Sequence, residues 1–121
     1  MPTIHAFQDL QCWQKARILT KEIFLAQGTL TKDWDTRSQI RRAALSIMNN
    51  IAEGFGRFST KEKTRFMEMA YSSGNEVKSM LFLLEDLKYL PQNELDQFHL
   101  IVDETQRLIL GFIRYLNQYQ G

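Results

Sequence analysis

Four stripes of apolar residues at helical spacing, separated by short breaks, constrain this chain more than any other feature. In the first, Cys12, Ala16, Leu19, Ile23, Ala26 and Leu30 recur at intervals of four and three. Ile40, Ala44, Ile47, Ile51 and Phe55 form the second. The third runs through Phe66, Ala70, Ser73, Val77, Met80, Leu84 and Leu87. The fourth comprises Leu95, Phe98, Val102, Thr105, Ile109, Phe112 and Leu116. This rhythm is that of an α-helix with one buried face, and the β-branched residues do not alternate as strands require.

Punctuation agrees with the stripes. Asp9 suits an N-cap and Gly28 a stop. Thr36 with Gln39, and Ser59 with Glu62, fit capping boxes. Gly54 and Gly56 end the second run, and Pro91 closes the third. Helices are therefore expected at about 9–27, 36–54, 60–90 and 93–118. Breaks near 28–35, 55–59 and 91–93 are short, which makes successive helices antiparallel neighbours. A chain of 121 residues suits one domain. The expected fold is all-α: a single domain over 1–121, an up-down-up-down antiparallel four-helix bundle.

Some faces are wider than one seam. The third helix adds Met67, Tyr71, Leu81, Phe82 and Tyr89, and the fourth adds Ile101, Leu108 and Tyr115. They either widen the core or form a second face between subunits.

Charge narrows the function. Lys plus Arg is 15 and Asp plus Glu is 14, a net of +1, so bulk charge gives no argument for nucleic acid. The distribution is uneven. Residues 1–65 hold 11 cations against 6 anions, and residues 66–121 hold 4 against 8. One cysteine rules out an internal disulfide and suits a reducing compartment. The opening residues Met1–His5 lack a leader pattern. The apolar run Met80–Leu84 is far below the ~18 residues of a spanning helix. A soluble, cytoplasmic protein with no membrane partner is expected.

Polar residues inside the stripes need partners. Arg42, Ser46, Asn49 and Glu53 share one side of the second helix, with Asn50 beside them. Ser73 and Glu76 interrupt the third. An unpaired buried polar group costs about 1–3 kcal/mol, so a structural network of Arg42, Ser46, Asn50, Glu53, Ser73 and Glu76 is expected, with Arg42 meeting Glu76. A ligand pocket and plain solvent exposure are the alternatives.

A basic cluster lies within residues 37–65. Arg37, Arg41, Arg42, Arg57, Lys61, Lys63 and Arg65 face only Glu53 and Glu62, with Phe55 and Phe58 among them. Cations around aromatics can track phosphates and stack bases. Arg37, Arg41, Arg57, Lys61, Lys63 and Arg65 are the candidate nucleic-acid contacts. The alternative is a solvated face.

Catalytic signals are thin. Asp96 and His99 have the i, i+3 spacing of di-iron bundles, but those need two such pairs. A metal-dependent enzyme remains a distant alternative. Cys12 has no evident base. No P-loop, dinucleotide fingerprint or zinc spacing occurs, so no cofactor is expected.

Four motifs then point to a family. They are Phe7-x-Asp9-Leu10-x-x-Trp13-x-Lys15-Ala16, Gln39-Ile40-Arg41-Arg42-Ala43-Ala44-x-Ser46-Ile47, Asn50-Ile51-Ala52-Glu53-Gly54, and Ala70-x-x-Ser73-x-x-Glu76. In this order and spacing the chain resembles the four-helix-bundle proteins encoded in intervening sequences of bacterial 23S ribosomal RNA genes. Relatives of those proteins include accessory proteins of diversity-generating retroelements. The stretch Thr31–Thr36 departs from the family's usual proline and leucine. The resemblance implies a homopentameric ring without enzymatic activity. For the retroelement relatives it implies binding to a reverse transcriptase and, through a basic surface, to nucleic acid. Those relatives are generally more basic than this chain. A protein-interaction adaptor that binds a partner such as a reverse transcriptase is the second reading.

Overall fold

The structure, a computed structural model, describes residues 4–119. Four helices carry it: α1 (Gln11–Leu25), α2 (Trp34–Phe55), α3 (Thr60–Asp86) and α4 (Gln92–Tyr119). No strand occurs among the described residues. α1 packs on α2 and α4, and α3 packs on the same two. Cross-helix contacts set the directions. Arg41 at the start of α2 reaches Phe24 at the end of α1, and Thr20 lies against Ala44. Ser46 meets Ser73, while Gly54 approaches Phe66. Gln106 reaches Tyr71, and Lys78 pairs with Asp103. Successive helices are thus antiparallel, and the bundle is a square in the order α1-α2-α3-α4.

The stripes fill its centre. Leu19, Ile23, Ile40, Ile47, Ile51, Met67, Val77, Leu81, Leu84, Leu95, Val102 and Ile109 are all buried. Much of the extra width also goes inward. Met67, Leu81 and Ile101 are core residues, and Tyr71, Tyr89 and Leu108 pack partly against them. Phe82 is the exposed exception.

Helix ends differ from those expected in four places, the first being that α1 stops at Leu25, with Ala26 as its C-cap, rather than at 27 before Gly28. Asp9 caps nothing, since it lies in a short 3-10 turn, Phe7–Asp9, and α1 begins at Gln11. The N-cap of α2 is Asp33, not Thr36. Its carboxylate accepts from the Thr36 N–H at 3.1 Å and the Thr36 hydroxyl at 2.8 Å, so the helix starts a half-turn earlier, at Trp34. α3 stops at Asp86 rather than near 90. Lys88 takes a left-handed φ of 55°, Tyr89 N–H donates to Leu84 O at 3.0 Å and Lys88 N–H to Glu85 O at 3.1 Å. That pair of bonds is a Schellman motif, with lysine where glycine is usual. Ser59 does cap α3, accepting from Glu62 N–H at 3.1 Å.

Two glycines are required by geometry. Gly28 has φ 70°, and a Cβ there would sit 2.5 Å from Tyr89 O, where the two end loops touch. Gly54 lets α2 and α3 approach closely, because a Cβ would lie 2.8 Å from Phe66 Cβ. Leu30, in the 3-10 turn Gly28–Lys32, plugs the same end of the core as Gly28.

Candidate nucleic-acid interface

The basic residues do not form one cluster. α2 is 22 residues long, about 33 Å at ~1.5 Å per residue, and it separates them. Arg37 and Arg41 sit at its start. Arg57, Lys61, Lys63 and Arg65 gather at the other end of the bundle, around the α2–α3 turn.

At that turn most of the charge is already engaged. Arg57 pairs with Glu53 at 3.1 Å. Arg65 forks onto Glu62 at 3.0 and 3.2 Å. The hydrogen bond from Arg65 holds the Glu62 carboxyl below its usual range and raises the guanidinium in turn. Both guanidinium groups lie over the Phe66 ring, 4.5 and 4.7 Å from its centroid. Lys63 Nζ donates to Phe55 O at 2.8 Å, satisfying a terminal carbonyl of α2. Lys61 is exposed, and Phe58 stands fully in solvent. Two carboxylates thus offset four cations, and Lys61 with Phe58 is the freest part.

The outer side of α1 and α2 is more basic. Phe24, Trp34, Arg37, Ser38, Arg41, Arg42 and Leu45 line a groove of about 250 Å³, and no carboxylate lines it. Arg41 Nη2 donates to Phe24 O at 2.8 Å, and its guanidinium lies 4.6 Å from the Phe24 ring centroid. Arg42 donates to Ser38 Oγ. The Nε atoms of Arg37 and Arg41 are buried without a hydrogen-bond partner. Trp34 is 73% exposed. Arg17 and Lys21 precede Phe24 by seven and three residues, which places them on the same stripe of α1. Arg17 lies over the Trp13 ring at 5.6 Å. Trp34, Phe24, Arg17 and Lys21 are not among the contacts expected from the sequence. Once Asp33 is taken as the cap, Trp34 becomes the first helical residue and shares a face with Arg37 and Arg41, a signal available in the sequence.

The polar network is smaller than expected. The Ser46 and Ser73 hydroxyls are 2.8 Å apart, and Asn50 Nδ2 donates to Ser46 O at 2.8 Å and Ser46 Oγ at 3.0 Å. Arg42 does not meet Glu76. Both are exposed and line one groove with Gln39, Ala43, Ser46 and Met80, Arg42 turns to Ser38 Oγ instead, and no burial cost enforces pairing. Glu53 turns away to Arg57.

Asp96 accepts from Gln92 Nε2 at 2.9 Å, and His99 packs on Phe82 with ring centroids 4.7 Å apart. Among the described residues no three His, Cys, Asp or Glu side chains are gathered as a metal site. Burial pushes the Cys12 thiol up to about 11. No described helix is long and apolar enough to cross a membrane.

The fold is thus an antiparallel four-helix bundle with a paired-serine seam between α2 and α3. The family model of the 23S rRNA-intervening sequence protein matches residues 8–111, and the chain belongs to that family. No curated protein matches the chain.

Proposed function

We propose that the protein is a non-enzymatic helical scaffold that assembles into a closed ring, a pentamer, and holds nucleic acid without base specificity. The observation that carries this reading is the placement of exposed apolar side chains on opposite sides of the bundle. Ile18 and Leu100 lie one turn beyond the Lys15–Glu104 bridge, on the outer side of α1 and α4. Leu83 and Leu87 lie on the outer side of α3 next to α2, about one and two turns beyond Met80. Two different patches on opposite faces suit head-to-tail contacts, which close into a cyclic ring when the rotation allows. Such a ring repeats every cation around its circumference, so modest single contacts gain avidity.

Filter binding of a mixed-sequence RNA or DNA at low salt tests the nucleic-acid part. The expected affinity falls linearly with salt on logarithmic axes and changes little with sequence. An intact oligomer that retains neither RNA nor DNA at low salt contradicts it. The adaptor reading is favoured by the same exposed leucines. A pull-down that recovers a single protein, such as a reverse transcriptase, after nuclease treatment distinguishes it.

A further inference from the structure

We infer that the groove between α1 and α2 is a single-strand site, with an unstacked base on Trp34 and the adjoining phosphates on Arg37, Arg41 and Arg42. The inference rests on the nucleic-acid reading and specifies which strand form and which surface serve it.

Three features of the groove select this ligand. First, its charge has one sign. Arg37, Arg41 and Arg42 enter it and no carboxylate does, which leaves positive potential that an anion would relieve. The α2–α3 turn, by contrast, has Glu53 and Glu62 already bound to its arginines.

Second, the arginines are positioned yet incompletely used. Arg41 is fixed by the Phe24 carbonyl and ring, and Arg42 by Ser38. Each of those two guanidiniums donates from a single Nη, Arg41 Nη2 and Arg42 Nη1, and the other Nη makes no hydrogen bond among the described residues, while the Nε groups of Arg37 and Arg41 lie buried. A guanidinium held on one edge with donors free on another fits a phosphate oxygen, and the fixed geometry spares the entropy of ordering the side chain.

Third, Trp34 is a large ring at the open end of the groove, 73% exposed and one turn of helix before Arg37 and Ser38. A base can lie on such a ring only when it is free of its own stack, which a single strand offers and a duplex does not. Arg17 and Lys21 extend the positive stripe along α1, in the direction a strand leaving the groove would take.

The test compares a fluorescein-labelled thymidine oligonucleotide of about 12 nucleotides with a duplex of equal length, by anisotropy at low salt, on the whole protein. The wild type is expected to bind the single strand at least tenfold more tightly. Trp34→Ala is expected to weaken single-strand binding by about tenfold, the loss of one base–aromatic stack, and to leave duplex binding unchanged. Trp34→Phe should keep most of the affinity. Arg37→Gln should weaken binding and lower the salt slope by about 1. Because Trp34 is exposed, its variants should melt with the wild type. Single-strand binding unaffected by Trp34→Ala overturns the site and leaves the nucleic-acid reading standing. Wild type that binds neither strand form defeats both. A Trp34→Ala protein whose solution mass falls makes Trp34 a contact with a second copy of the chain, which also overturns the site.

Discussion

The Tyr89 hydroxyl donates to Asp33 Oδ2 at 2.9 Å, joining the α3–α4 connection to the N-cap of α2. The same carboxylate accepts from the Thr36 N–H and hydroxyl. Those bonds, Thr36 first, hold the Asp33 carboxyl below its usual range, and the Asp33 partner raises the Tyr89 phenol. The sign follows for each group. A carboxyl depressed by folding contributes stability above its ordinary value of about 3.9, lost as pH falls through the folded value. A phenol raised by folding contributes below its ordinary value of about 10, lost as pH rises through the folded value. Thermal melts across pH should show Asp33→Asn losing most stability near neutrality and converging on wild type in acid. Tyr89→Phe should converge in strong base.

Lys88 occupies a left-handed position that glycine adopts without strain. Lys88→Gly is therefore expected to raise stability by up to about 1 kcal/mol, since relief of the Cβ clash exceeds the added freedom of the unfolded chain. Urea denaturation measures it. A lower midpoint would show that the Lys88 side chain has a role of its own.

Gly54 should not tolerate alanine. The added methyl would lie 2.8 Å from Phe66 Cβ and 3.2 Å from Lys63 O, with backbone on one side and the root of a side chain on the other. Neither gives way without moving α2 from α3. Overpacking of this kind costs about 1–3 kcal/mol. Denaturant melts of Gly54→Ala should show it, and an unchanged midpoint would mean that the helices separate freely.

Ser73 and Glu76 should behave oppositely. Ser73 is buried and shares a bond with Ser46, so Ser73→Ala is expected to cost about 1 kcal/mol. Glu76 is exposed without a bonded arginine, and in the isolated bundle Glu76→Ala should stay within about 0.5 kcal/mol of wild type. A large loss at Glu76 in the isolated bundle would restore the Arg42 pair expected from sequence.

The helices were legible because Leu19, Ile47, Val77 and Ile109 recur at the period of one buried face, and burial is what that period encodes. Their ends were less so. Thr36 and Gln39 fit a capping box, yet Asp33 lies three residues earlier and offers a stronger, charged acceptor to the Thr36 N–H. That shift hid Trp34. Arg42 and Glu76 share a groove as their spacing suggests, but pairing depended on burial, which a helix stripe does not fix at its outer edge. The basic residues were close in sequence and far apart in space, because a full-length helix runs between Arg41 and Arg57. Of the six residues expected as a network, Ser46 bonds to both Ser73 and Asn50, since these lie on the α2–α3 seam, while Arg42, Glu53 and Glu76 lie outside those bonds.

The proposed ring requires the two exposed apolar patches, Ile18 with Leu100 and Leu83 with Leu87, to meet between subunits. Light scattering coupled to size exclusion measures it directly, using wild type and Leu83→Glu at equal concentration. The expected wild-type mass is about five times the 14.3 kDa of the chain, and the Leu83→Glu protein is expected to stay helical with a mass near that of one chain. A wild-type mass of one chain at every concentration tested would contradict it.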